Sequence, residues 1–220
     1  VSYMIDGVPV NDSYGGVAAV SSLEVEAVKD LEVITGTFNA EYGNAMSGVV
    51  NAVTKDGDNQ YSGSVNTAYS TYFTENIRND EKVFVGLEPF NINYNNDLKI
   101  NFSGPVIKDK LYFFTNYRAQ RINGHLNGIR RFEVWNLSNF YDQDSTKWIS
   151  ENTGDSAFVP MATGKYSSFM GKLSYNLGNI KLAFMVNQNN SISQGYSHIY
   201  KYNPDGRGYG DAKTTLTMLQ

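Results

Sequence analysis

After residue 62 the chain alternates apolar and polar residues with a period of two, and that pattern limits what it can become. Between 63 and 73, Val65, Thr67, Tyr69, Thr71 and Phe73 share one face of an extended strand, and Ser64, Asn66, Ala68, Ser70 and Tyr72 share the other. Leu98, Ile100 and Phe102 alternate with Lys99, Asn101 and Ser103. Leu111, Phe113, Thr115, Tyr117 and Ala119 then alternate with Tyr112, Phe114, Asn116, Arg118 and Gln120. Two later runs repeat the pattern: Phe169, Gly171, Leu173, Tyr175 and Leu177 against Ser168, Met170, Lys172, Ser174 and Asn176, and Ile180, Leu182, Phe184 and Val186 against Lys181, Ala183, Met185 and Asn187. Each cation in these runs lies on the polar face. The expected class is therefore mainly β, with antiparallel strands. A soluble sandwich also alternates, so the period alone leaves open what covers the apolar face.

Connection lengths point to lipid. The links at 104–110 and at Gly178-Asn179 are short, whereas 74–96, 123–164 and roughly 191–212 are long and polar, and short and long alternate along the chain. A membrane barrel has this form, with tight turns on one rim and extended loops on the other. Compact soluble domains rarely need three such loops. A cation facing lipid costs roughly 2–4 kcal/mol at mid-membrane and about 0–1 near an interface. Lys99 and Arg118 are thus expected to face the lumen, and Arg121 to lie near a membrane boundary. An open sheet of five or six strands would leave edge amides unsatisfied in lipid, so the barrel is expected to be incomplete in this chain.

Composition agrees. Mean hydropathy is −0.39 and no apolar run approaches 18 residues, which excludes a transmembrane helix but not membrane strands. The 16 Tyr and 12 Phe suit interfacial girdles. With 18 basic against 22 acidic residues, no basic patch is available to neutralise phosphates, so nucleic acid is not an expected partner. The absence of Cys is compatible with any redox compartment. Val1 to Ile5 begins inside a strand-like run and residues 213–220 end in one, so an internal piece of a longer protein is expected.

Residues 1–58 read differently. Val1 to Pro9 is a strand and turn, followed by a polar loop. Ser21-Ser22-Leu23-Glu24 has capping-box spacing and predicts a short helix through about Lys29. From 31 to 55 the pattern predicts a strand, a helical turn capped by Asn39 and closed by Gly43, and a second strand. Val25, Val28, Leu31 and Val33 are the expected core.

Three motifs carry a resemblance to a known family. The first is Tyr3-Met4-Ile5-Asp6-Gly7-Val8-Pro9. The second runs from Glu32 to Gly36, through Ala40-Glu41-Tyr42-Gly43, to Gly48-Val49-Val50-Asn51. Both are similar to the plug of TonB-dependent outer-membrane receptors. The third, Phe102 to Phe114, resembles the first barrel hairpin of that family's Oar-like branch. The resemblance marks Asp6, Gly7, Glu32, Gly36, Tyr42, Gly43, Gly48 and Asn51 as plug-motif positions. It implies a small α+β plug segment over 1–58, and over 59–220 the first strands of a transmembrane β-barrel with long extracellular loops. It also implies location in the Gram-negative outer membrane, surrounded by its lipid. The implied activity is ligand capture at the cell surface and import by plug displacement. TonB, ExbB and ExbD would drive this through an N-terminal segment not among these residues. A surface lipoprotein is a further implied partner, and the ligand is a peptide, a protein or a glycan. The rival reading is a barrel used for adhesion or surface interaction without transport. The plug-like segment argues against it, since a passive pore has no use for a folded domain in its lumen.

Catalytic chemistry is not legible. His125 and His198 stand apart in long loops, and neither Asp56-Gly57-Asp58-Asn59 nor Asp142-Gln143-Asp144 completes a calcium loop. Gly206 to Gly210 lacks the strand-to-helix setting of a phosphate loop. No enzyme activity, metal or cofactor is expected. Two sets of residues remain as candidates. Asn66, Asn101, Arg118 and Lys172 would hold the plug from the wall. Tyr14, Trp135, Tyr141, Trp148, Tyr196 and Tyr200 would face ligand.

Overall fold

The computed structural model describes residues 1–10, 20, 22–35, 48–74, 85–87, 92 and 94–220. Two sheets account for most of them. The first contains β1 (Ser2–Ile5), β2 (Val8–Pro9), β3 (Val28–Ile34) and β4 (Val49–Thr54) in the order β2-β1-β4-β3, with β1 and β4 parallel. Asp6 and Gly7 close the β1–β2 hairpin with φ of 50° and 78°, the left-handed pair that a two-residue turn requires.

The second sheet is an antiparallel meander of β5 (Ser62–Ser70), β6 (Asn95–Ile107), β7 (Leu111–Asn123), β12 (Thr163–Leu177), β13 (Ile180–Gln194) and β14 (Gly210–Leu219). Its inner side packs on the first sheet, and among the described residues β14 and β5 remain as open edges. The intervening β8 (Asn127–Ile129), β9 (Ser138–Asn139), β10 (Ile149–Ser150) and β11 (Phe158–Pro160) lie within the long connection after β7, pairing β8 with β11 and β9 with β10. The two short turns, Lys108 to Lys110 and Gly178-Asn179, are on one rim, and all long connections are on the other. No described helix is long and apolar enough to cross a membrane.

The alternation holds strand by strand. Tyr112, Phe114, Asn116, Met170, Lys172, Ser174, Ala183, Met185 and Asn187 point inward and are buried. Phe102, Tyr117, Phe169, Leu173, Leu177, Ile180, Leu182 and Phe184 point outward and are exposed. The outward apolar side chains end at Leu219 on β14, Val186 on β13, Phe169 on β12, Ala119 on β7, Leu98 on β6 and Tyr69 on β5, with Ile192 alone above them on β13. Register places Leu219 level with Phe113 of β7, and Tyr69 level with Arg121. The limit therefore climbs from Phe113 to Arg121 across five strand spacings. At about 3.3 Å per residue and 4.8 Å between strands, that is a slant of about 45°. Strands of membrane barrels tilt by about 35–45°, so the apolar limit is a level line around a tilted wall.

One core joins the two sheets. Ile5 and Ala52 of the first sheet, with Leu23 and Ala27 of the segment leading into β3, pack against Phe114, Met170, Met185 and Met218 from the second. Of the four residues expected as core, Val28 packs against it, but Val25, Leu31 and Val33 are exposed. β3 is the edge strand of its sheet, and among the described residues nothing covers its outer side. The predicted helix through Lys29 is also overturned. Only Val25–Ala27 form a 3-10 turn, and β3 starts at Val28 rather than Leu31. Glu24 makes no cap bond, because its carboxylate accepts from Arg118 on the wall instead. Ser21 and the turn expected at Asn39 to Gly43 lie outside the described residues.

Other boundaries moved as well. β6 continues to Ile107, past the link expected from Gly104, with a bulge between Pro105 and Ile107. β5 ends at Ser70 rather than Phe73. The strands flanking the last long loop reach inward to Gln194 and Gly210, and the connection after β7 holds four short strands rather than plain loop.

Candidate functional site

The chemistry concentrates where the first sheet meets the wall. On β12, Lys172 is 5% exposed. Its Nζ donates to Asp6 Oδ2 at 3.0 Å and to Thr54 Oγ1 at 2.8 Å, and lies 3.0 Å from Asp56 Oδ1. Asp6 also accepts from the Thr54 backbone N–H at 2.7 Å and from its hydroxyl at 2.6 Å. One wall cation thus holds the β1–β2 turn, the end of β4 and the segment that follows. So buried a charge is tolerable only because every proton has an acceptor.

Asp56 begins the crossing to the wall. Burial alone would raise its pKa, but hydrogen bonds from Lys181 and Ser174, with the Lys172 charge, outweigh this and leave it below the usual carboxylate value. The next residues are stapled to the hairpin β6–β7. A Cβ on Gly57 would stand 2.3 Å from the Phe113 carbonyl oxygen and 2.9 Å from that of Gly104, so only glycine passes here. Asn59 Oδ1 accepts from the Asp109 N–H at 2.9 Å and from the Tyr112 hydroxyl at 3.1 Å. The Tyr61 hydroxyl donates to the Pro105 carbonyl at 2.9 Å, and its ring fills the space over Gly104.

A second cluster lies higher on the wall. Arg118 Nη1 donates to Glu24 Oε2 at 3.1 Å, while Nε and Nη2 grip Asp97 of β6 at 2.9 and 2.7 Å. Lys99 pairs with Glu26. That hydrogen bond holds the Glu26 carboxyl below its usual range. Asn187 and Asn189 donate to the Ser22 carbonyl. The ion pairs that cross to the wall among the described residues share one polarity, with the carboxylate on the first sheet's segment and the cation on the wall.

Of the expected wall contacts, Arg118 and Lys172 reach the plug segment. Asn101 does not, bonding along the wall to Ser64 and Asn116 instead, and Asn66 lies exposed on β5. Among the plug-motif positions, Asn51 accepts from the Gly7 N–H and donates to Glu32, both at 2.9 Å, and thereby ties the turn to β3. Gly48 opens β4, its carbonyl accepting from Ser2. Gly36, Tyr42 and Gly43 lie outside the described residues. The roles of Asp6, Glu24, Glu26 and Asp56 as partners of the wall were missed. The Asp-Gly turn and the misplaced helix were the only local signals for them.

The candidate ligand-facing residues fall into two loops. Trp135, Tyr141 and Trp148 belong to the connection after β7, where Trp148 sits edge-on to Phe140 at 5.7 Å and donates to the Asp142 carbonyl. Tyr196 and Tyr200 belong to the loop after β13, where the Tyr196 hydroxyl meets His198 Nδ1 at 2.9 Å. No ring contact joins the two groups among the described residues, and Tyr14 lies outside them. The loops themselves are joined. Arg130 binds Asp155 at 2.9 Å and Asp205, and the Ile129 and Phe132 N–H groups donate to Lys201 and Tyr202 carbonyls.

Known proteins resemble this chain in sequence and in structure. Residues 1–49 match the family model described as the TonB-dependent receptor plug domain. The chain is 29% identical over 196 residues to the TonB-dependent transporter Oar of Myxococcus xanthus, covering 87% of this chain and 17% of that protein. Among solved structures it is similar to the ferric enterobactin receptor of Pseudomonas aeruginosa, with TM-score 0.48 and 17% identity over 98% of this chain and 30% of that one. It is also similar to the outer membrane transporter YddB of Escherichia coli, with TM-score 0.41 and 11% identity over 87% of this chain and 25% of that one. Residues 1–49, which hold most of the first sheet, thus match the TonB-dependent receptor plug domain, and the similarity to the transporter Oar extends along most of the wall.

Proposed function

We propose that this chain is the later plug, ending near Asp58, and the first wall strands of a Gram-negative outer-membrane transporter. It captures a ligand at the cell surface and imports it when the plug is displaced, with TonB, ExbB and ExbD doing the work through a segment N-terminal to these residues. The observation that carries the reading is the Lys172 network with Asp6, Thr54 and Asp56. A domain meant to fill a lumen permanently is held as well or better by apolar packing, because buried ion pairs add little net stability over well-packed apolar groups. Beside the apolar core that also joins the two sheets, the charged contacts have the opposite merit. Both halves become well solvated once water enters, so separation is reversible.

The aromatic side chains Trp135, Tyr141, Trp148, Tyr196 and Tyr200, on the two joined loops, form the ligand surface in this scheme, with a peptide, protein or glycan as ligand. A surface lipoprotein would close over them. The test is a tether. In the full-length protein, a disulfide between Ser22→Cys and Asn187→Cys would fix plug to wall. Untethered protein in a planar bilayer should open large conductances in urea, and the oxidised variant should not until reduced. Equal opening with and without the tether would refute plug displacement.

A further inference from the structure

Just above the apolar limit, the outward face carries a feature that the plug does not use. Arg121 on β7 and Lys165 on β12 are register partners, side by side and both exposed. Like charges directly opposite each other in an antiparallel pair destabilise it. Neither has a carboxylate partner among the described residues. Their row continues to Ile192 and then Asp211, which places that carboxylate two strand spacings, roughly 10 Å, from Lys165. The two cations line a cavity of about 430 Å³ whose other walls include Val159, Pro160, Ile192 and Tyr209.

Height decides what fits. Arg121 is the next outward residue above Ala119, and Lys165 the second above Phe169. On strands tilted about 45°, that is roughly 5–10 Å above the apolar limit. The polar headgroup layer is about that thick. The long loops lie on this rim, so the layer is the outer leaflet.

We propose that Arg121 and Lys165 bind the phosphate of an outer-leaflet lipid headgroup, with its acyl chains descending over Phe169 and Tyr117. The inference rests on the membrane reading above. A phosphate between the cations removes their mutual repulsion and accepts several charge-assisted hydrogen bonds. Tyr209 and Ile192 cover the non-polar part of the headgroup.

The test uses the full-length protein in phosphatidylcholine nanodiscs containing a small fraction of lipid A, with retained lipid counted by native mass spectrometry. Wild type should retain phosphorylated lipid A and not its dephosphorylated form. Arg121→Gln with Lys165→Gln should lower retention by about tenfold. Arg121→Lys with Lys165→Arg should keep it, as should Lys213→Gln, an outward cation outside the cavity. Millimolar inorganic phosphate should not displace the lipid. Unchanged retention in the Gln pair, equal retention of dephosphorylated lipid A, or displacement by inorganic phosphate would each overturn the site. Failure of the protein to enter nanodiscs at all would instead overturn the membrane reading.

Discussion

Lys172 on the barrel wall and Asp6 in the plug are 166 residues apart in the chain, and their charged groups meet at 3.0 Å. Asp6 holds the left-handed turn and Lys172 an inward position of a long strand, so neither is free to move without the other. Removing the cation leaves the buried Asp6 and the partly buried Asp56 without the charge that they share.

Lys172→Met should therefore weaken plug docking by about 3–5 kcal/mol, as loss of one partner of a buried pair does. Adding Asp6→Asn should cost much less than it does alone. A double-mutant cycle on chemical unfolding of the full-length protein would measure the coupling, and strictly additive effects would show that the pair is not coupled.

Gly57→Ala should displace the crossing segment, since its Cβ would meet two backbone carbonyls that belong to a sheet. We expect faster proteolysis between Lys55 and Tyr61 by several-fold, with the barrel's own melting temperature little changed. Gly7→Ala is the informative contrast. Its Cβ meets nothing within 4 Å, so any penalty there comes from positive φ alone and should be about 1 kcal/mol.

Glu26 and Asp56 set the response to acid. Both are lowered from ordinary values of 4.5 and 3.8, so the docked state binds protons less readily than the released one. Their contribution is complete above about pH 5 and is lost as pH falls through the ordinary values towards the lowered ones. Melting of the full-length protein should be flat in this respect from pH 5 to 8 and fall below pH 4.5. Glu26→Gln with Asp56→Asn should flatten the acid limb, and an unchanged limb would assign it to other carboxylates.

Arg130→Gln should loosen the contact between the two long loops. Its guanidinium bridges Asp155 and Asp205, and these hold its pKa above the ordinary arginine value. The backbone bonds from Ile129 and Phe132 remain, so loosening rather than collapse is expected. Hydrogen exchange at Lys201 to Asp205 should rise several-fold while β12 and β13 stay protected.

The wall was legible because its information is local. Inward and outward positions on β6, β7, β12 and β13 follow from alternate residues, and the cost of a cation in lipid put Lys99, Arg118 and Lys172 inside. The plug was less legible. Glu24 satisfies a capping-box pattern, yet its carboxylate is drawn to Arg118, and the helix shortens to one 3-10 turn. Leu31 and Val33 look like core by composition but lie on an edge strand.

By itself, then, the amino-acid order determined the strands, their two faces and the rim on which each connection lies, because side-chain period and transfer cost act residue by residue. Only the tertiary structure decided which carboxylate meets which cation. Asp6, Thr54, Asp56 and Lys172 become neighbours when the β4 end and the β12 wall close on one another, and no local pattern encodes a contact made across more than a hundred residues.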